Sequence, residues 1–531
     1  MSPKLERNLF IALVLLTLCR IVIGAVSELS EDEAYYFLWT ERLDWSYYSK
    51  GPGVALAINF TTSIFGKTAL GVRILSPLLG LATSWLLFRL GTRLVGQQSA
   101  LWAVVMLNVT PIFNAGSILL TIDPLMIFFW VAAMATTWHA IQESSKSLLW
   151  WIATGFLIGL GFLCKYTAAV QVISIVILLC ANSALKVQFK RPGFYAMLGT
   201  ILICTTPVMV WNSQNDWITF VHLIERTGLV DFNQPEAAES SEAAASSGFE
   251  WNPFDIFSYL GQHLGVYSPL FFAGLAWTTV LAWKRFRKSP EETFIGAFGL
   301  PIVVFYFGLS VLKMGELNWT APGFVSLGLL LPKYWEQASF GTKLKARLSI
   351  AAFAVSAVLT VLAVNPEVIR STGLTWPYSF DTKKRWSGWK TSAGHIAEQV
   401  ARFEAEIGEK PFLIGNRYQT CAAIAFYFPD ESGVMRPDPS YPLVHTIEPD
   451  DKAARKNQFA FWPAYQRDPQ FLGKSALFVT DQLKSQSPPQ NVREAFREWE
   501  VYSLVDIDRR GELLRSWKVF ACRDYQGLPD K

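Results

Sequence analysis

The segment Ser30-Glu31-Asp32-Glu33-Ala34-Tyr35-Tyr36 sets three consecutive carboxylates beside aromatic residues. Apolar and aromatic surroundings raise the pKa of a carboxyl group, and a carboxylate so placed is suited to taking the proton from an acceptor hydroxyl. A solvated acidic loop explains the same residues equally well. A second carboxylate, Asp123 in Leu120-Thr121-Ile122-Asp123-Pro124, stands alone between apolar runs. There an ionisable group is costly and marks a functional candidate, although a helix N-cap at Thr121 or Asp123 accounts for it too, and both readings can hold at once. Cations accompany the acids: Lys50 in Tyr47-Tyr48-Ser49-Lys50-Gly51-Pro52-Gly53, Lys165 in Gly161-Phe162-Leu163-Cys164-Lys165-Tyr166, and Lys313 in Lys313-Met314-Gly315-Glu316-Leu317-Asn318-Trp319. Fixed cations in a partly dry site stabilise charge developing on a phosphate leaving group; the plainer reading of each is snorkelling to lipid headgroups. Tyr35 and Tyr36 suit stacking walls of a binding site, or an interfacial aromatic belt. Arg20, inside an apolar run, reads as a packing or snorkelling residue.

Several chemistries lose their usual signatures. The chain has no P-loop, no G-x-G-x-x-G after a strand, no paired C-x-x-C and no H-E-x-x-H, and its five histidines do not cluster. No nucleotide cofactor is expected, no metal ligand is assigned, and a divalent metal is left open. The net charge of +4 is spread in short basic clusters between apolar runs, which suit topology signals and not a nucleic-acid surface.

The elements that must carry these residues are membrane helices. Of the 531 residues 51% are hydrophobic and only 17% charged, against about 25% charged in soluble proteins. Apolar runs of spanning length fall near 8–26, 70–90, 99–118, 123–142, 148–164, 168–185, 194–213, 262–283, 294–312, 320–335 and 347–364, about eleven in all. The first also carries a small-x-small pattern at Ala25 and Ser27 that fits a signal peptide; retention as a span is favoured because the acids just after it are needed. Basic residues gather in one set of loops, at Lys4 and Arg7, Arg89 and Arg93, Lys146, Lys186 to Arg191, Lys284 to Lys288 and Lys333 to Arg347. By the positive-inside rule those loops and the N-terminus are cytoplasmic, and an odd number of spans puts the C-terminal part outside.

The expected organisation is a helical transmembrane domain over 1–364, with a first outer loop at 27–69 and a long outer loop at 214–261, followed by an extracytoplasmic α/β domain over 365–531. In the first loop, Val54 to Phe65 suits a helix lying in the interface. The tail shows a helical pattern from about Ser392 to Ile407 and β-rich runs at Phe412–Ile414, Ala422–Phe428, Ala476–Thr480, Val501–Ile507 and Trp517–Cys522. If the tail is exported, Cys421 and Cys522 can form a disulfide. The acids and outlying lysines would then share one membrane face. A transporter or flippase of lipid-linked sugars is the rival reading, but it expects ionisable groups near the midplane and matched broken segments, and the sequence shows neither.

The combination of Asp-Glu-Ala-Tyr-Tyr, Leu43-Asp44-Trp45-Ser46-Tyr47-Tyr48 and Lys50-x-Pro52 resembles the bacterial members of the protein O-mannosyltransferase and aminoarabinose (lipid A) transferase superfamily, glycosyltransferases of the GT-C fold. The likeness continues through Gly71-Val72-Arg73-Ile74, Thr121-Ile122-Asp123, the surroundings of Lys165 and Asn318-Trp319-Thr320-Ala321-Pro322. The resemblance implies an inverting transfer, on the outer face of a bacterial inner membrane, from a polyprenyl-phosphate sugar to a glycan, lipid A or protein acceptor. It matches Asp32, with Glu33 beside it, to the family's first-loop acid, Asp123 to its second acidic position and Lys50 to the base that approaches the donor phosphate. Lys165 and Lys313 are further candidates for the phosphate, and Arg73, Glu316, Asn318 and Trp319 for substrate contact. Gly51-Pro52-Gly53 departs from the family's usual Pro-Pro. The tail also looks like those of a bacterial subgroup, through Arg385-Trp386-Ser387-Gly388-Trp389, Asn416-Arg417-Tyr418-Gln419 and Asn457-Gln458-Phe459-Ala460-Phe461-Trp462-Pro463, with no role assigned.

Overall fold

A computed structural model describes residues 2–143, 147–227, 254–311, 315–365, 370, 386–447, 455–509 and 511–528. Lys146, Lys313 with Met314, Arg385 and residues 228–253 of the long outer loop lie outside the described residues. The chain is helical for most of its length and divides into two compact units. One holds the chain up to Ala25 and the helices from Lys50 to Val364; the other joins Val26–Ser49 to the described residues from Trp386 onward.

The helices of the first unit are α1 (Pro3–Val26), α3 (Gly53–Phe65), α4 (Ala69–Arg73), α5 (Leu75–Val95), α6 (Gln97–Val109), α7 (Pro111–Gly116), α8 (Ile122–Gln142), α9 (Ser147–Cys164), α10 (Val170–Ala181), α11 (Pro192–Gln214), α12 (Ile218–Thr227), α13 (Asp255–Tyr267), α14 (Pro269–Lys284), α15 (Pro290–Ser310), α16 (Ala321–Leu327), α17 (Leu330–Gln337) and α18 (Thr342–Val364); α2 (Glu31–Thr40) belongs to the second unit. Among the described residues seven are long and apolar enough to cross a membrane: α1, α4 with α5, α8, α9, α11, α15 and α18. The bent pair α13 and α14, which turns by 114°, brings the count to as many as eight. The chain is a multi-pass membrane protein.

The other expected spans are interrupted, and the residues say why. The run at 99–118 breaks at Thr110, in extended backbone just before Pro111, which has no N–H to continue the ladder. The run at 262–283 breaks at Ser268, held at a φ of 69° ahead of Pro269. The runs at 168–185 and 320–335 resolve into helices of at most 12 residues, and α3 has 13, all too short for a 30 Å core at about 1.5 Å per residue.

The second unit is built on a five-stranded sheet in the order β2-β1-β3-β5-β4, from β1 (Phe412–Gly415), β2 (Val444–Thr446), β3 (Ala476–Thr480), β4 (Phe496–Arg509) and β5 (Glu512–Tyr525). β1 runs parallel to β2 and β3; β5 runs antiparallel to β3 and β4. Phe412, Ile414, Phe478, Phe496, Phe520 and Tyr525 fill its core. Two expectations are corrected. Ala422–Phe428 is not a strand: Tyr418–Tyr427 is a helix, buried from Thr420 to Phe426. A short, fully buried apolar run has no period to betray its type, and this one is rich in alanine, a strong helix former. Cys421 and Cys522 are not joined in a disulfide and are both buried; Cys421 Sγ donates to the carbonyl of His445 at 3.3 Å, while Cys522 packs in the sheet core.

Candidate functional site

Three helix ends in the first unit meet at a polar cluster. Asp123 opens α8, where the unpaired N–H groups and the helix dipole favour a carboxylate. Thr121 supplies the cap, its Oγ1 accepting from the Asp123 N–H at 3.4 Å, and the Asp123 carboxylate turns to other partners. Lys165 follows the last residue of α9 in extended backbone, and its Nζ donates to Asp123 Oδ1 at 2.6 Å. Asn318, in the turn Leu317–Thr320 that leads into α16, donates from Nδ2 to Asp123 Oδ2 at 2.6 Å. Both carboxylate oxygens are thus used. Lys165 is only 7% exposed, so it is an ion-pair partner here and does not snorkel.

The cluster has spare hydrogen-bonding capacity. Lys165 carries three N–H donors and gives one to Asp123. Asn318 Oδ1 is buried and accepts from no donor among the described residues, an arrangement that costs about 1–3 kcal/mol unless a ligand or water fills it. Asp123, Asn318 and Thr121 line a cavity of about 210 Å³ whose wall is mostly apolar, with Phe113, Ile127, Leu275 and Phe324 among its members and Thr83, Thr110, Ser117 and Tyr267 as further polar groups. Such a chamber suits a hydrocarbon chain carrying a polar head.

Residues that no sequence argument singled out brace the cluster. Tyr306, from α15, bonds Thr167 through its hydroxyl at 3.0 Å and packs its ring on Trp319 at 5.1 Å, linking the neighbourhoods of Lys165 and Asn318. His263 from α13 reaches Thr320 Oγ1 at 3.0 Å, with its other ring nitrogen 2.8 Å from the carbonyl of Tyr259. Both lie in runs that read only as apolar spans.

The remaining candidates fall as follows. Gly51, next to Lys50, packs so tightly that a Cβ there would run into the carbonyl of Leu163, and one at Gly53 would meet Cys164. The departure from Pro-Pro therefore has a packing reason, and it brings the Lys50 segment against the end of α9 that precedes Lys165. Arg73 is 1% exposed and donates to the carbonyl of Gly24 at 3.1 Å. Glu316 is exposed. Among the described residues no three His, Cys, Asp or Glu side chains gather as a metal site.

The first-loop acids belong to the second unit. Ser30 and Glu33 form a reciprocal capping box at the start of α2: Ser30 Oγ accepts from the Glu33 N–H, and the Glu33 carboxylate accepts from the Ser30 N–H at 2.9 Å. Glu33 is fully buried by this arrangement, whereas Asp32 is exposed. Tyr35 and Tyr36 are buried, the Tyr35 hydroxyl accepting from the Gln458 N–H at 2.7 Å.

The class to which such an arrangement points is a lipid-linked glycosyltransferase, and comparisons with known proteins agree. Residues 49–211 match the family model for dolichyl-phosphate-mannose-protein mannosyltransferase. The fold is shared with ArnT from Cupriavidus metallidurans: in its undecaprenyl-phosphate-bound state that structure gives a TM-score of 0.61 over 98% of this chain and 99% of its own, at 15% identity. Among curated sequences, the lipid A galacturonosyltransferase RgtD of Rhizobium johnstonii is 24% identical over 73% of this chain and 75% of its own. An undecaprenyl phosphate-alpha-4-amino-4-deoxy-L-arabinose arabinosyl transferase of Sodalis glossinidius is 22% identical over 80% and 82%. The resemblance to the mannosyltransferase and aminoarabinose transferase superfamily, read first from short motifs, is borne out.

Proposed function

We propose that this protein transfers a sugar from a polyprenyl-phosphate carrier to a lipid acceptor of the lipid A class on the outer face of the membrane. The observation that carries the reading is the Asp123–Lys165–Asn318 cluster, whose Asp123 and Asn318 line a mostly apolar cavity. In this reading the carrier's isoprenoid chain occupies the apolar part and its head meets the polar part. Lys165 spends its spare donors on the phosphate, Asn318 Oδ1 accepts from a sugar hydroxyl, and Lys50 adds a second cation.

The chemistry is a single displacement with inversion. The acceptor oxygen bonds to the anomeric carbon as the bond from that carbon to the phosphate oxygen breaks, and Asp32 takes the acceptor's proton. Polyprenyl phosphate leaves with one more negative charge, which the lysines stabilise. The activities of the relatives, lipid A galacturonosyl transfer and aminoarabinosyl transfer, favour a modified hexose or pentose as the sugar and lipid A as acceptor.

The test is transfer of radiolabel from polyprenyl-phosphate sugars to lipid A by the purified protein in lipid nanodiscs. The wild type is expected to turn over, with Asp32→Asn and Lys165→Met each slower by about 100-fold or more, the range for removing a catalytic proton acceptor or a charge-stabilising group. Equal turnover in all three overturns the assignment.

A further inference from the structure

Helix α2 is ten residues long, too short to hold itself in place in water. Its position is set by residues about four hundred positions downstream. The Gln458 N–H donates to Tyr35 Oη in the middle of α2 at 2.7 Å, and Gln458 Oε1 accepts from the Tyr48 N–H at the far end of the loop, also at 2.7 Å. Gln458 is itself 2% exposed and opens a short turn capped by Asn457, whose Oδ1 accepts from the Phe459 N–H. Just ahead of α2, the Leu29 N–H donates to Tyr427 Oη at 2.6 Å. Glu28 accepts from the Trp389 N–H at 2.6 Å, so it caps the Trp389–Ile407 helix, whose own N-cap, Gly388, has no side chain to do so. Rings complete the seat: Tyr35 lies parallel to Phe459 at 6.1 Å, and Phe37 meets Phe426 edge-on at 4.9 Å.

We propose that the C-terminal domain works as the holder of the first outer loop, with Gln458 as a positioning residue for Asp32. The inference rests on the reading of Asp32 as the proton acceptor. Every side chain from Glu33 to Trp39 is buried, whereas Asp32 is exposed. The domain thus fixes the helix that carries Asp32 at its start. Gln458 ties the middle of α2 to the loop's return through one residue: its main-chain N–H holds the Tyr35 hydroxyl and its side chain holds the Tyr48 N–H, so loss of the side chain frees the loop's return and loss of the Tyr35 hydroxyl frees the helix. A displacement of about 1 Å in a reacting group costs on the order of 100-fold in rate, which sets the scale expected from a loosened α2. The role accounts for the Asn457–Pro463 motif, and it moves Tyr35 from a wall of the substrate site to a strut of the holder.

The experiment uses the full chain in nanodiscs and the transfer assay above. Gln458→Ala is expected to lower kcat by about 10- to 100-fold with the donor KM unchanged. Tyr35→Phe, which removes the acceptor of the Gln458 N–H, should act in the same direction, and Gln458→Glu, which keeps the acceptor for Tyr48, should recover most of the rate. Amide exchange should quicken over residues 41–48 in Gln458→Ala and over residues 28–40 in Tyr35→Phe. In the residual turnover of Asp32→Asn, adding Gln458→Ala should cost nothing more. A further loss there of the same factor, or a Gln458→Ala protein with wild-type turnover, overturns the positioning role. Asp32→Asn with wild-type turnover instead overturns the proton-acceptor reading, whatever Gln458→Ala does.

Discussion

Lys165 and Arg20 are both cations buried in the helical unit, 7% and 2% exposed, and they are satisfied in opposite ways. Lys165 meets a carboxylate and keeps donors in hand. Arg20 forms no ion pair among the described residues; its guanidinium donates to Asn114 Oδ1 at 2.6 and 3.2 Å and to Asn108 Oδ1 at 3.1 Å, and lies 5.8 Å from the Phe113 ring centre. Asn114 in turn donates to the carbonyls of Asn108 and Thr110, beside the break between α6 and α7 that Pro111 causes. Arg20 thus completes a network that repairs an interrupted helix, spending three of its five N–H donors on the amide oxygens of Asn108 and Asn114. A buried charge is evidence for a ligand site only when its neighbourhood has capacity left over, as the Asp123 cluster has in Asn318 Oδ1.

The largest effect should come from splitting the ion pair. Asp123→Ala leaves Lys165 charged and unpaired in a mostly buried site, a loss of about 3–5 kcal/mol, with turnover falling by about 100-fold or more. Thermal unfolding in detergent and the transfer assay measure the two separately. Asp123→Leu combined with Lys165→Met should restore much of the stability and none of the turnover. Turnover that returned with stability would make this pair a structural device like Arg20, and the contrast would be lost.

Arg20→Met tests the other side. It leaves the Asn108 and Asn114 oxygens without their donor, at about 1–3 kcal/mol for each that finds no replacement. Unfolding should come earlier on heating while turnover per folded molecule stays near wild type. A selective loss of turnover at unchanged stability would place Arg20 in the substrate machinery and erase the distinction.

The sequence conveyed the membrane class, the small terminal α/β unit and the candidate carboxylates, because apolar length and isolated charge are local signals. Seven of the expected spans are helices of crossing length among the described residues, and the interruptions at Thr110-Pro111 and Ser268-Pro269 were legible in principle, since proline halts a helix wherever it falls. What local patterns do not carry is partnership. That Thr121 caps α8 and frees Asp123 for Lys165, 42 positions on, depends on how helices pack. So does the membership of α2 in the second unit, since nothing in residues 26–49 announces Gln458. Tyr306 and His263 were hidden for the same reason: in an apolar run an aromatic residue with a polar tip looks like any other packing residue.

His445 supplies a third way to bury a titratable group, and the mildest test. It sits on β2 in the second unit, 1% exposed, ringed by Phe412, Tyr441, Tyr465 and Phe471, with neither ring nitrogen hydrogen-bonded among the described residues. Burial above all, helped by the positive charges of Arg42 and Arg436, pushes its pKa down to about 3 from an ordinary 6.5. This imidazole is therefore neither paired nor solvated by amides; it is kept neutral. The unfolded chain binds a proton at this residue from about pH 6.5 downward and the folded chain does not until about pH 3. Stability is accordingly undiminished above pH 6.5 and falls by about 1.4 kcal/mol for each unit of pH below it, down to about pH 3. His445→Leu should remove this share of the slope, measured as the midpoint of unfolding between pH 7 and pH 5. An unchanged slope would mean that the imidazole finds a proton acceptor when charged, and His445 would then belong with Lys165 among the buried groups that have a partner.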